Sequence, residues 1–169
     1  MSIEECYRAA GILPIAQTAR NETLVLLGTE PTQLGLRWLA FGGKREPIDA
    51  SPTATALREF HEESGRLYDA DPLFFGPRFY DFQAKYCLYL GWVPYAQELP
   101  SFTDEQAAAD PTLNKRTLRW FPLEELLEGD AFELGGPFPI KPWFQRLLQR
   151  ERYAIRRAVA SSAKPQQVE

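Results

Sequence analysis

Cysteine is scarce in this sequence, and its scarcity narrows the classes of protein to consider. Only Cys6 and Cys87 occur in 169 residues, and they do not have the spacing of a metal-binding pair. They are predicted to be reduced core or strand residues of a cytoplasmic protein, with a disulfide as the less favoured alternative. The cysteines therefore indicate neither a zinc site nor a disulfide framework.

Long apolar runs and an excess of basic charge are also missing. No stretch approaches the roughly 18 uninterrupted apolar residues that span a bilayer, and Glu4 and Glu5 stand where a secretory signal would be basic. The net charge of −4 argues against a protein that coats nucleic acid, although a local basic patch remains open. These absences predict a cytoplasmic protein without a membrane span or a secretory signal.

What is present is an ordinary globular composition. The 169 residues are 44% apolar and 25% charged, which suits one domain with a core of two or three layers. We predict this domain over residues 1–160 and a disordered tail over residues 161–169. The sequence leaves the oligomeric state open between monomer and homodimer.

Residues 42–67 hold the most informative pattern, which is a pair of glycines, a loop and a short helix. Ser51 is suited to cap the helix, Pro52 to its first turn and Gly65 to its end. These signals predict a helix over residues 52–64.

Three glutamates share one face of this predicted helix. Glu59, Glu62 and Glu63 stand at positions i, i+3 and i+4. Each like-charge pair at this spacing costs roughly 0.2–0.5 kcal/mol on an isolated helix, so a positively charged partner is expected. A hard divalent cation, Mg²⁺ or Mn²⁺, suits carboxylate oxygens best. The alternative is an acidic face exposed to solvent.

The same stretch resembles the Nudix box, in which a glycine, five residues, an acid and seven residues precede R-E-apolar-x-E-E-x-G-apolar. Gly43, Asp49 and the run from Arg58 to Gly65 match this pattern. Asp49 replaces a glutamate, eight residues rather than seven separate it from Arg58, and Arg66 stands where an apolar residue is usual. The second difference is explained by one extra loop residue.

The resemblance implies an α/β protein with the Nudix-type α/β/α sandwich and a mixed central sheet. Apolar and β-prone segments fit that order, and the predicted strands are residues 9–16, 24–28, 38–41, 73–82 and 86–93. Residues 118–126 resemble a second family feature, a short strand that leads into a helix. Residues 30–35 and 94–117 are predicted loops, and residues 140–161 a long helix.

The resemblance also implies the catalytic site. Glu59, Glu62 and Glu63 would be the metal ligands, and Glu62 or Glu63 could also act as the general base. Arg58 is predicted to orient Glu62 and the loop through a salt bridge. His61, the only histidine, occupies a free position of the box and is predicted to face away from the acids. The candidate substrate-binding residues are Gly43, Lys44, Arg45 and Lys85.

Proteins of the resembled family often have a further glutamate about six residues before the tryptophan of the second feature. This sequence has Asn114 and Lys115 there, ahead of Trp120. The helper acid is therefore either missing or supplied by a loop acid such as Asp104 or Glu105.

Basic residues dominate the predicted C-terminal helix, with Glu151 as the opposing acid. One interpretation is a solvated face, and the other is a basic wall for a polyanion such as RNA or a highly phosphorylated inositol. The basic residues are Lys141, Arg146, Arg150, Arg152, Arg156 and Arg157. Candidates for stacking on a base, for which core packing is the favoured alternative, are Tyr7, Trp38, Tyr80 and Tyr89.

The function implied by the resemblance is metal-dependent hydrolysis of a phosphoanhydride bond in a nucleoside diphosphate derivative or related pyrophosphate compound. Capped RNA and diphosphoinositol polyphosphates are among the candidate substrates. The alternative is a catalytically weak Nudix-fold module that binds nucleotide or RNA. It is motivated by Asp49, the extra loop residue and Arg66.

Overall fold

A computed structural model describes residues 1–129 and 136–165, and a mixed sheet of seven strands lies at their centre. The strand order is β3-β2-β1-β6-β5, with β4 paired to β1 and β7 paired to β2. The strands are β1 (Ala9–Gln17), β2 (Thr23–Thr32), β3 (Gly35–Leu39), β4 (Phe41–Lys44), β5 (Leu73–Asp81), β6 (Tyr86–Trp92) and β7 (Leu118–Pro122).

β1 is buried through its middle, and it has partners on both edges. Its first half pairs antiparallel with β4, from Ala9 opposite Lys44 to Ile12 opposite Phe41. Its second half pairs antiparallel with β2, and its other edge runs parallel to β6, with Ala9 opposite Tyr86. The glycines of β4 and the start of β6 are therefore held on either side of one short segment of β1.

Helices pack on both faces of the sheet, which confirms the predicted α/β/α sandwich. Ala56 and Phe60 of one helix join Phe41 in a buried cluster on one face, and Phe144 and Leu147 of another belong to the cluster on the opposite face. Burying a large apolar side chain contributes about 1.5–3 kcal/mol, so these clusters hold the helices to the sheet. The described helices are α1 (Ile3–Cys6), α2 (Pro52–Glu63), α3 (Asp104–Ala109), α4 (Leu123–Glu128) and α5 (Pro142–Ser161).

Local signals determine the ends of α2, the helix that carries the three glutamates. Ser51 Oγ accepts a hydrogen bond from the Ala54 N–H at 3.1 Å, and Pro52 is the first helical residue. Gly65 adopts a φ of 65° just beyond the last turn, a conformation that glycine adopts without strain. The observed helix agrees with the predicted one to within a residue.

Replacing Ser51 by alanine is expected to lower the free energy of unfolding by about 1 kcal/mol, because the Ala54 N–H loses its acceptor. Thr53→Ala, in the same first turn, is the matched control, with an expected change within about 0.5 kcal/mol. Urea denaturation without metal measures both variants. Equal losses in the two would contradict the capping role of Ser51.

The predicted loop over residues 30–35 is wrong. β2 continues to Thr32 and turns directly into β3 at Gly35. Glu30 is accommodated inside the sheet because two lysines pair with its carboxylate. The strand predicted over residues 38–41 is likewise divided between β3 and β4, with Ala40 between them.

The predicted loop over residues 94–117 contains the short helix α3. Its first turn is a capping box in which the side chains of Thr103 and Gln106 each accept a hydrogen bond from the other's N–H. None of the α3 residues is buried, so the helix lacks the apolar periodicity that would have predicted it.

The structure bears on two features of the sequence, the scarce cysteines and the lack of long apolar runs. Both cysteines are free, with Cys87 buried in β6 and Cys6 half-buried with its sulfur 3.5 Å from the Tyr80 hydroxyl. Across residues 1–129 and 136–165, none of the helices has the length and apolar character needed to cross a bilayer.

The end of α5 is attached to the sheet. The helix ends at Ser161, and Ser162 Oγ accepts a hydrogen bond from Trp92 Nε1 at 2.6 Å. The last part of the predicted tail, residues 166–169, lies outside the described residues.

Candidate active site

Asp49 and Arg58 close the loop between β4 and α2. Arg58 donates from Nε to Oδ1 of Asp49 at 3.0 Å and from Nη2 to Oδ2 at 2.9 Å. The Glu46 N–H and the Thr55 hydroxyl donate to the same carboxylate. The hydrogen bonds from Arg58 lower the pKa of Asp49 to about 2. Asp49 therefore reaches Arg58, although its side chain is shorter than that of the usual glutamate and the loop is one residue longer.

Arg58 also holds the two outer glutamates of α2. Its Nη1 donates to Glu59 Oε1 at 3.1 Å and to Glu62 Oε2 at 3.4 Å, and its Nη2 donates to the Lys44 carbonyl at 3.0 Å. Burial raises the pKa of Glu59, and the charge of Arg58 opposes this shift. One guanidinium thus links the end of β4, the loop and two acids. Its catalytic contribution stays a prediction.

Gly43 lies directly against the carboxylate of Glu59. A Cβ atom at Gly43 would collide with that carboxylate. Glycine at this position lets the Glu59 carboxylate lie directly against β4, since a Cβ atom would displace it.

Glu63 is the buried member of the three glutamates, with 1% of its surface exposed. Its Oε1 accepts a hydrogen bond from the Gly42 N–H at 2.7 Å, and its Oε2 is buried without a hydrogen-bond partner among the described residues. Desolvation raises the pKa of Glu63 to about 8, with the charge of Lys115 opposing and that of Glu30 reinforcing the shift. A perturbed carboxylate of this kind is a candidate functional group.

The sequence analysis missed a buried charge cluster formed by Glu30, Lys115 and Lys141. Lys115 is fully buried, and its Nζ donates to the Ala40 carbonyl at 2.9 Å and pairs with Glu30 Oε2 at 3.4 Å. Lys141, which precedes α5, pairs with Glu30 Oε1 at 3.0 Å. Because the members come from distant parts of the chain, no local spacing marks them. The one available signal is a lysine where related sequences often have an acid.

Tyr86 lies against the glycines of β1 and β4. Its hydroxyl is buried and has no hydrogen-bond partner within the described part of the chain. A Cβ atom at either Gly11 or Gly42 would collide with this hydroxyl. Burial, reinforced by the charge of Glu63, raises the pKa of Tyr86 well above its usual value. The phenol therefore remains neutral beside the acids.

The donor set fits a hard divalent cation in its chemistry. The three glutamates supply carboxylate oxygens, which Mg²⁺ and Mn²⁺ prefer, and Glu63 has an unpartnered buried oxygen. Within residues 1–129 and 136–165, no three acidic, histidine or cysteine side chains already stand in a group that could hold a metal ion. A cation must therefore compete with Arg58 for Glu59 and Glu62.

The predicted substrate-binding cations lie around the start of β1. Lys44 ends β4 opposite Ala9. Lys85 immediately precedes β6, and its carbonyl accepts a hydrogen bond from the Ala9 N–H at 3.2 Å. The Arg45 guanidinium lies 4.7 Å from the centre of the Tyr7 ring. Two lysines thus flank the strand segment that pairs with Gly43.

The other predicted polar candidates have different partners. His61 Nε2 lies 2.6 Å from Asp71 Oδ1, and Asp104 pairs with Arg116 at 2.8 Å. In the part of the chain that the structure describes, neither His61 nor Asp104 is hydrogen-bonded to the three glutamates. Glu105 lies beside Asp104 in α3 and is exposed.

Acidic partners neutralise much of the basic face of α5. Arg150 pairs with Asp81 at 3.5 Å, and Arg156 pairs with Glu124 at 3.0 Å and also contacts Glu128. These ion pairs favour the solvated face over the basic wall for polyanions.

Two of the four candidate stacking residues belong to the core. Tyr7 is buried and hydrogen-bonded to Thr55, and Trp38 packs edge-on against Phe121 with ring centres 5.1 Å apart. Tyr80 and Tyr89 are half-buried on β5 and β6.

Several solved structures share this fold. A Nudix hydrolase from M. smegmatis, RenU, is 20% identical with a TM-score of 0.56, over 89% of this chain and 87% of that one. A C. elegans Ap4A hydrolase in a binary complex is 13% identical with a TM-score of 0.56, over 88% and 98%. The NUDIX domain of Shewanella oneidensis NrtR, complexed with ADP-ribose, is 15% identical with a TM-score of 0.52, over 88% of both chains. These identities support a shared fold and nothing finer.

A family model described as the NUDIX domain matches residues 7–144. No curated protein matches the chain. The matched span is most of the sequence and includes β4, its loop and all of α2. The chain belongs to the Nudix family.

Proposed function

We propose that this chain is a Nudix pyrophosphohydrolase dependent on Mg²⁺ or Mn²⁺. It cleaves a phosphoanhydride bond in a nucleoside diphosphate derivative or related pyrophosphate compound, and we assign the activity to residues 1–160 of a cytoplasmic protein. The observation that carries the proposal is Glu63, which is buried, fixed by the Gly42 N–H and left with one unpartnered oxygen. An unpaired buried oxygen costs free energy unless a ligand meets it.

A divalent ion bound by the three glutamates would withdraw charge from phosphate oxygens and lower the pKa of an attacking water molecule. The residues of the chain orient the groups that this chemistry needs. The Gly42 N–H fixes Glu63, and Arg58 fixes Glu59 and Glu62. Of these carboxylates, Glu62 and Glu63 are our candidates for the base that takes the proton of the water.

We assign the contact with substrate phosphates to the cationic residues around β1. Lys44 and Lys85 flank Ala9, and Arg45 follows Lys44 directly. Positive charges at this end of the sheet attract a polyphosphate and orient it toward the acids. Gly43, next to Lys44, lets the Glu59 carboxylate lie against the same end of β4.

Purified protein with Mg²⁺ or Mn²⁺ is expected to release phosphate, pyrophosphate or a nucleoside monophosphate from at least one compound of a pyrophosphate panel. Ap4A and ADP-ribose belong in the panel because one protein of similar fold is an Ap4A hydrolase and another is complexed with ADP-ribose. Nucleoside triphosphates, capped RNA and diphosphoinositol polyphosphates complete it.

AMP, which lacks an anhydride bond, is the matched control substrate and should remain intact. Chelation by EDTA should stop release. Intact panel compounds after incubation with metal-loaded protein would contradict the proposal.

One observation favours a second function, a Nudix-fold module that binds nucleotide or RNA with little turnover. Arg58 occupies both Glu59 and Glu62, which a metal ion would need. Such a module would show ligand-induced thermal stabilisation without product in the same samples. The panel therefore separates the two functions.

A further inference from the structure

The turn between β5 and β6 carries an exposed aromatic side chain, Phe82. Its ring is nearly perpendicular to that of Tyr80, with ring centres 4.9 Å apart, and 79% of the residue remains exposed. A hydrogen bond fixes the turn, because Asp81 Oδ1 accepts from the Ala84 N–H at 2.8 Å. Arg150 of α5 donates to the Tyr80 carbonyl at 3.3 Å and holds the strand beside the turn. Phe82 is therefore an aromatic ring that is supported on one side and open to solvent elsewhere.

A row of directly paired residues crosses four adjacent strands, from the neighbour of Phe82 to the acids of α2. Side chains paired in this way lie on the same face of a sheet. At one end, Tyr80 packs against the buried cluster that contains Phe60 of α2. At the other end, Gly43 lies against the Glu59 carboxylate. Adjacent strands are about 4.7–4.9 Å apart, so the two ends of the row are separated by about 14 Å. The row consists of Tyr80 on β5, Cys87 on β6, Ala10 on β1 and Gly43 on β4.

Basic residues form a second row beside the first, with Arg8 at its centre. The Arg8 N–H donates to the Lys85 carbonyl at 2.8 Å, and the Arg8 carbonyl accepts from the Arg45 N–H at 2.9 Å. In the described part of the chain, none of these three side chains forms an ion pair. Burial raises the pKa of Tyr80 to about 12, and the charge of Arg8 opposes this shift, as expected of a cation near the phenol. A cation that the sequence analysis did not single out therefore lies between the acids and Phe82.

We propose that a nucleotide substrate lies along this face, with its base stacked on Phe82, a phosphate bound by Arg8 and its phosphoanhydride bond at the glutamates of α2. An exposed ring takes the planar face of any base, and an arginine beside it takes phosphate oxygens. An extended nucleoside polyphosphate is long enough to span the row. The inference rests on the proposed function, since it takes the glutamates to be the reaction centre.

This arrangement selects among the substrate classes of the panel. A diphosphoinositol polyphosphate has no base, so Phe82 would not contribute to its binding by stacking. A nucleotide uses both the ring and the cations. Loss of one stacking residue weakens the binding of a base by about fivefold or more.

The test is a calorimetric titration of two probes into the full-length chain in the presence of Mg²⁺. The first probe, α,β-methylene-ADP, has a base and a link that is not hydrolysed. The second, methylenediphosphonate, has the same link without the nucleoside. We expect Phe82→Ala to weaken the binding of α,β-methylene-ADP at least fivefold and that of methylenediphosphonate less than twofold. Phe82→Trp keeps an aromatic ring and should bind both probes within twofold of the wild type.

Tyr95→Ala is the matched control for the ring. Tyr95 is also an exposed aromatic residue, but it follows the opposite end of β6 from Phe82. Its replacement should change the affinity for either probe less than twofold.

Arg8→Gln tests the phosphate contact, because it keeps a polar side chain and removes the charge. Both probes should bind this variant at least threefold more weakly, and their affinities should fall less steeply with added salt than in the wild type. Arg20→Gln is the matched control, since Arg20 is exposed in the turn at the other end of β1.

Three results would overturn the inference. The first is a loss of α,β-methylene-ADP affinity below fivefold in Phe82→Ala, and the second is an equal loss for both probes, because Phe82 would then support the turn and not the base. The third is wild-type affinity and salt dependence in Arg8→Gln.

Because neither probe is hydrolysed, the titrations separate this inference from the proposed function. Turnover of a panel compound by the wild type, with unchanged α,β-methylene-ADP affinity in Phe82→Ala, overturns only the role of Phe82. Weakened α,β-methylene-ADP binding in Phe82→Ala, without turnover by the wild type, overturns only the proposed hydrolysis.

Discussion

Replacing Glu63 by glutamine is expected to abolish hydrolysis, with kcat reduced by about 10²–10³-fold or more. Glutamine has nearly the same shape and keeps an oxygen to accept the Gly42 N–H at the position of Oε1. It cannot supply the negative charge that a divalent ion needs. Turnover of the best panel substrate at saturating Mn²⁺ measures the effect.

The same change should leave the metal-free protein as stable as before or more stable. The pKa of Glu63 is about 8 in the folded protein, against an ordinary value of 4.5, because the charged form is desolvated. The folded state therefore holds the proton more tightly, so the stability of the wild type falls as the pH rises from 4.5 through 8. Glutamine does not ionise, and the advantage of the variant should grow over that range.

Thermal unfolding in EDTA between pH 5 and 9 measures the difference in stability between the wild type and Glu63→Gln. Glu98→Gln, a substitution at an exposed residue, is the control and should change neither turnover nor the pH dependence. Turnover at the wild-type rate in Glu63→Gln would show that hydrolysis does not need the Glu63 carboxylate. A stability difference that stays constant across this pH range would show that Glu63 is not buried as a carboxylic acid.

Replacing Arg58 by alanine is expected to lower the free energy of unfolding by about 3–5 kcal/mol. Arg58 donates two hydrogen bonds to Asp49, whose side chain is 3% exposed. Without the guanidinium, a buried carboxylate loses its counter-charge. Urea denaturation at pH 7 measures the loss, and Arg20→Ala at an exposed turn is the control.

The loss should depend on pH in a defined direction. Asp49 has a pKa of about 2 in the folded protein, below its ordinary 3.8. Its stabilising contribution, on the order of 2 kcal/mol, is complete above pH 3.8 and is lost as the pH falls through 2. The wild type and Arg58→Ala should therefore converge in stability on acidification. A gap of constant size from pH 7 to pH 2 would show that Asp49 is not the group that Arg58 stabilises.

Much of the acidic helix and its loop was predictable because the signals are local. Ser51, Pro52 and Gly65 act within a turn of the residues they affect. The spacing of Glu59 and Glu63 on one face follows from helix geometry alone. The mixed sheet between helices also followed from the family resemblance, once β-prone segments were in place.

The buried charge cluster of Glu30, Lys115 and Lys141 was not predictable from neighbouring residues. Glu30 and Lys115 meet because β2 pairs with β7, which brings distant parts of the chain together. A glutamate beside a proline is typical of a loop, and residues 30–35 were predicted accordingly. The pairing of Glu30 with Lys115 and Lys141 overrides that local preference.

The parallel pairing of β1 with β6 constrains the order in which the chain acquires structure. Ala9 pairs with Tyr86, so β2, β3, β4, α2 and β5 all lie between the two partners in the chain. Contacts between such distant residues slow folding, because a long stretch must be confined before they form. During synthesis on the ribosome, one edge of β1 remains unpaired until β6 has emerged. Until then, the unpaired edge exposes the nascent chain to aggregation.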